Sequence, residues 1–146
     1  MKQSKQITVM LLRGVIYTIL HFVLIFQLSG CFLKQDRTTV VYGTITDEKG
    51  QPVDSIMVIV SGIEFYHSTN LSKVYSDKEG QYNILVDVPK KFDVVDVIIT
   101  SSSPENTKYR KEFNGYKTKK DDALTNNCCT ASVGQKTKYD FQLIPK

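Results

Sequence analysis

Tryptophan is absent from this 146-residue chain, and histidine, cysteine and proline are scarce, at two, three and four residues. Each shortage removes a class of chemistry. His21 falls in an apolar N-terminal segment, which leaves His67 as the one histidine of the polar remainder. No histidine pair, no Cys-x-x-Cys and no His–Glu spacing offers a zinc-type ligand set. No glycine loop of the phosphate-cradling kind is present. A cysteine nucleophile needs a base beside it, and one histidine without a flanking signature does not supply a recognisable pair. The expectation is a chain with no catalytic residue, no metal site and no cofactor.

Acidic residues are also missing from Met1 to Gly30, where Lys2, Lys5 and Arg13 are the only charges. They account for most of the formal net charge of +4. Without them, 16 basic residues face 15 acidic ones. Such a balance leaves no electrostatic footprint for nucleic acid, whose binding draws on clustered Lys and Arg. One basic stretch does exist, with Lys108, Arg110, Lys111, Lys117, Lys119 and Lys120, but Glu105, Glu112, Asp121 and Asp122 break it up. It reads as a solvated face or loop.

What the first thirty residues do contain is ordered. A positive start is succeeded by an apolar run from Gly14 to Leu28, then by small residues at Ser29 and Gly30. The run is short for a membrane span of about 20 apolar residues and has the layout of a secretory signal. Positive charge stays on the cytoplasmic side, so the chain beyond the apolar run is expected to be exported. Leu28-Ser29-Gly30-Cys31 resembles the lipobox of bacterial lipoproteins, with small side chains at the scissile bond and a cysteine directly after it. The resemblance implies cleavage before Cys31 and acylation of that residue. Each buried CH₂ contributes about 0.8 kcal/mol, so two or three acyl chains on one cysteine anchor a protein lastingly. The expected address is the bacterial envelope, lipid-anchored at the outer membrane. Residues 31–39, the acylated cysteine and a polar tether, would join the anchor to a domain over 40–146.

From Val40 the pattern is alternation and turns. Val41, Gly43 and Ile45 share one side of a strand, and Val40, Tyr42, Thr44 and Thr46 the other. Ile56 to Val60 is a continuous apolar run, as in a strand buried on both faces. Lys73–Ser76, Gln81–Val88, Val94–Thr100, a stretch around Tyr109, Lys111 and Phe113, and Lys138–Leu143 read as further strands. That is about seven strands with turns between them and no helical period, an all-β antiparallel sandwich. Gly50 and Gly80 close acidic turns where a positive φ is needed. Asp47, Glu48, Asp77 and Glu79 are turn formers before they are calcium ligands.

Val41 to Val53, VYGTITDEKGQPV, resembles the opening of carboxypeptidase-regulatory-like domains, and Val74 to Ile84, VYSDKEGQYNI, resembles their second block. Those domains have a transthyretin-like (prealbumin-like) sandwich. The family often has Pro-Gly and an aromatic after the second block, where this chain has Pro89-Lys90-Lys91-Phe92. Residues 102–136 match no pattern. These blocks are folding motifs and say little about activity.

Cys128 and Cys129 are neighbours. Adjacent Cα atoms lie about 3.8 Å apart, closer than the usual disulfide span of about 4.4–6.8 Å. In an oxidising compartment, a vicinal disulfide, an intermolecular bridge and two buried thiols all stay open. Tyr42, Phe65, Tyr66 and Tyr75 are candidates to face outward, for sugar stacking or for packing. The leading expectation is a non-catalytic accessory lipoprotein that presents its sandwich to an envelope protein or a glycan. The alternatives are a structural envelope lipoprotein and, more remotely, a thiol enzyme using Cys128 or Cys129.

Overall fold

The computed structural model describes residues 14–22, 36–65, 67–126 and 128–146, and the chain divides into two compact units, residues 1–35 and Asp36–Lys146. Leu28, Ser29, Gly30 and Cys31 lie outside the described residues. In the first unit, residues 14–22 form helix α1. Val15, Ile16, Tyr17, Ile19, Leu20 and Phe22 are all exposed on it, so its apolar side chains run round the whole helix. Among the described residues, no helix is long and apolar enough to cross a membrane.

The second unit is almost entirely β. In chain order it contains β1 (Thr38–Thr46), β2 (Met57–Glu64), β3 (His67–Tyr75), β4 (Gln81–Asp87), β5 (Val94–Ile98), α2 (Thr107–Glu112), β6 (Phe113–Lys120), β7 (Ala123–Thr125), β8 (Thr130–Ser132) and β9 (Lys136–Pro145). One sheet has the order β4-β1-β9-β6-β7 and the other β3-β2-β5-β8. Among the described residues nine strands therefore replace the expected seven or so. One ladder, β1 with β9, is parallel, whereas the sequence pattern suggested antiparallel pairing throughout. Strands so distant in sequence carry no hairpin constraint, and either direction is open to them.

Alternation places the core. In β1, β4 and β9 the burial pattern switches at every residue. Val41, Ile45, Tyr82, Ile84, Tyr139, Phe141 and Leu143 point inward and join Val58, Val60, Val95 and Val97 of the other sheet in one apolar cluster. Gly43 sits on this inward side for a steric reason. A Cβ there would lie 1.8 Å from the Tyr139 carbonyl oxygen. The parallel pairing is interrupted at this point, and Asp140 fills the gap by accepting bonds from both the N–H and the hydroxyl of Thr44, each at 2.9 Å.

The acidic turns are one device used twice. Asp47 Oδ1 accepts the N–H groups of Lys49 and Gln51, and Asp77 Oδ1 those of Glu79 and Gln81. Gly50 and Gly80 take φ of +77° and +71°, the left-handed region that glycine enters without steric cost. The two turns also meet: the Ile45 N–H donates to the Gly80 carbonyl, and the Val53 N–H to that of Ile45.

The strand expected around Tyr109, Lys111 and Phe113 is instead helix α2 and then the start of β6. On a strand all three side chains would share a face, and Lys111 would have to be buried. A helical turn brings residues three or four apart together and turns a residue two apart off that face. Tyr109 and Phe113 are both buried, with ring centroids 6.2 Å apart, while Lys111 stays exposed. Just before α2, the buried Asn106 takes over from β5, which ends at Ile98. Its side chain accepts the Met57 N–H and donates to the carbonyls of Met57 and Thr100. Arg37, ahead of β1, clamps the 88–92 turn through the carbonyls of Val88, Pro89 and Phe92.

Candidate functional site

The alternation that builds the core also populates the opposite face of the five-stranded sheet. The register aligns its outward residues in rows. Tyr42 pairs with Asn83 on one side and Lys138 on the other, Val40 with Leu85 and Lys136, and Thr46 with Gln142, which in turn pairs with Lys117. These rows enclose two adjoining grooves. An open one of about 530 Å³ is lined by Tyr42, Thr44, Tyr75, Gln81, Asn83 and Lys136, with Asp77 and Lys138 also at its wall. A second, of about 260 Å³, runs on past Thr44 and Asp140 to Lys117, Lys119 and Leu124.

The lysines on this face differ in their partners. Lys138 is held by Asp122 and lies 3.2 Å from Asp140, and these carboxylates push its pKa above the ordinary lysine value. Lys117, Lys119 and Lys136 make no ion pair with a described residue. The Lys136 ammonium sits 4.5 Å from the centre of the Tyr42 ring, a cation–π contact of about 0.5–1 kcal/mol at an exposed site. Beneath the face, Tyr82 is 4% exposed and donates its hydroxyl to the Tyr139 carbonyl at 2.8 Å. Burial, helped by the Asp140 charge, pushes its pKa well above the ordinary tyrosine value.

Of the aromatics expected to face outward, Tyr42 is half-buried under Lys136, so its ring does not present a free stacking platform. Tyr75 is 44% exposed at the groove wall, and Phe65 is 91% exposed at the β2–β3 hairpin tip. Tyr66 lies outside the described residues.

Cys128 is exposed and Cys129 is buried just ahead of β8, with their sulfurs against each other. The Thr118 hydroxyl oxygen lies 3.3 Å from the Cys128 sulfur and 3.9 Å from that of Cys129. His67 opens β3, at the opposite edge of the four-stranded sheet. Three inter-strand steps of about 4.8 Å separate β3 from β8, so the fold does not bring the histidine to the cysteines. Among the described residues no three His, Cys, Asp or Glu side chains converge as metal ligands. The Asp47 and Asp77 carboxylates of the acidic turns are engaged by backbone N–H groups instead.

The groove residues that sequence reasoning missed are Gln81, Asn83, Lys136 and Lys138. Their outward direction is set by the alternation of β4 and β9, but their meeting around Tyr42 depends on two ladders, antiparallel β1–β4 for Gln81 and Asn83 and parallel β1–β9 for Lys136 and Lys138.

No protein-family model and no curated protein matches the chain. Among solved structures it is similar to a 9R-lipoxygenase from Cyanothece PCC8801, at 12% identity and a TM-score of 0.39, over 75% of this chain and 17% of that one. The chain thus spans less than a fifth of the lipoxygenase, and a likeness of this size carries no argument about function.

Proposed function

We propose that this chain is a lipid-anchored, non-catalytic binding protein of the bacterial envelope, at the outer membrane. Its signal peptide, residues 1–30, is removed, Cys31 is acylated, and a transthyretin-like β-sandwich of the carboxypeptidase-regulatory kind is presented to an envelope protein or a glycan. The observation that carries this reading is Leu28-Ser29-Gly30-Cys31 at the end of a positively led apolar run. The paired Asp-x-x-Gly-Gln turns and the two sheets around one core support the domain assignment. The separation of His67 from Cys128 and Cys129 speaks against a thiol hydrolase. Export favours closure of the two adjacent cysteines as a vicinal disulfide.

Expression of the full chain in a bacterium with labelled palmitate tests the proposal. Label is expected on a membrane-fractionating product whose intact mass begins at Cys31, and Cys31→Ser is expected to abolish both. An unmodified full-length mass, or label retained in Cys31→Ser, overturns it. Alkylation before and after reductant reads the Cys128–Cys129 state on the same sample.

A further inference from the structure

We infer that the outer face of the five-stranded sheet is a binding trough for an acidic polysaccharide, whose carboxylates are met by Lys136, Lys119 and Lys117. The inference rests on reading the chain as a binding protein, but not on its lipid anchor.

Three observations converge. The first is shape. The two grooves adjoin at Thr44 and together run across the sheet from β4 to β7. Five strands spaced by about 4.8 Å give a track on the order of 20 Å, a length suited to several units of an extended polymer. The second is charge. Four lysines line the track against Asp77 and Asp140. Asp140 is already engaged by Thr44 and Lys138, and Asp77 by its own turn. Lys117, Lys119 and Lys136 are exposed and lack ion-pair partners among the described residues, so three unpaired lysines along the track outnumber its one carboxylate without a cation partner, Asp77.

The third is the arrangement around Tyr42. An ammonium covers its ring, so the groove offers a charge where a neutral-sugar site would offer a bare ring face. Tyr42 is a positioning residue that holds Lys136 over the groove. The exposed amides of Gln81 and Asn83 flank the same groove, where they can pair with sugar hydroxyls. A flat anionic bilayer is met by side chains that protrude from the protein, whereas these lysines line concave grooves.

The test uses the full-length protein in neutral detergent, titrated with polygalacturonate at low salt. Neutral dextran, polyglutamate and vesicles of zwitterionic and anionic phospholipid serve as comparisons. Binding to polygalacturonate is expected, and high salt should abolish it. Lys136→Gln should weaken it about tenfold, and Lys136→Gln with Lys119→Gln about a hundredfold. Tyr42→Ala should cost about threefold while Tyr42→Phe, which keeps the ring under the ammonium, restores wild-type affinity. Lys111→Gln on α2 should change nothing, and thermal melts of all variants should match the parent.

Absence of polygalacturonate binding overturns the inference, as does equal affinity for polyglutamate or for anionic vesicles. Binding that survives the double lysine variant also overturns it. Palmitate incorporation separates the two readings. An acylated protein that ignores the polymer removes only the trough, whereas a polymer binder without acyl chains removes only the anchor.

Discussion

The stretch from Val40 to Asp87 and the stretch from Ser102 to Lys136 are built on different physics. The first holds β1 to β4, with apolar residues at every second position in β1 and β4, a continuous apolar run in β2, and two copies of one turn. Period-two alternation there states both the strand and its buried face. The second holds α2, β6, β7 and β8, and leans on side-chain-to-backbone bonds and polar burial. Asn106 replaces a missing strand, Thr118 is 4% exposed, and the two cysteines lead into β8. The contrast teaches that burial by pattern is legible locally, whereas burial by hydrogen bonding depends on what arrives from elsewhere in the chain.

The largest expected effect lies in the patterned stretch. Gly43→Ala drives a methyl into the Tyr139 carbonyl and should cost at least about 3 kcal/mol in urea unfolding, or prevent folding. A loss below about 1 kcal/mol would show that the β1–β9 ladder yields easily. Next comes Asn106→Ala, which strands the buried backbone groups of Met57 and should cost about 2–3 kcal/mol. An effect as small as that of an exposed residue would erase the distinction between the two stretches.

Asp47→Ala and Asp77→Ala sharpen it from the other side. Each turn aspartate accepts two backbone N–H bonds, so the two variants should lose similar amounts, about 1 kcal/mol each by thermal or urea melts.

The smallest effect concerns pH. Tyr82 is raised chiefly by burial, so the native state keeps its proton where the unfolded chain loses it near pH 10. Its contribution is fully present below about pH 10 and is lost as pH rises toward the native value. Tyr82→Phe should cost about 1 kcal/mol at neutral pH through the lost bond to Tyr139. It should also make unfolding less steep in alkali. An unchanged alkaline slope would mean that Tyr82 is not the group responsible. Burial raises Tyr116, Tyr109 and Tyr139 in the same direction, so part of the slope should remain.

The site divides along the same line as the fold. Lys117 and Lys119 face outward, as a solvated lysine run suggests, and Tyr42 was visible as an outward aromatic on β1. That Lys136 would sit on the Tyr42 ring was not visible, because 94 residues separate them and no local signal selects parallel pairing. The helix α2 was missed because Tyr109 and Phe113 fit a strand and a helix equally well until Lys111 must choose a side.

By itself the sequence determined the β character, the inward face of β1, β4 and β9, and the glycine turns, since each depends on steric rules acting over a few neighbouring residues. Tertiary structure alone decided which strands lie side by side, and with them the lysine-lined trough. Pairing free energy is set by contacts between distant segments, which no local window of sequence contains.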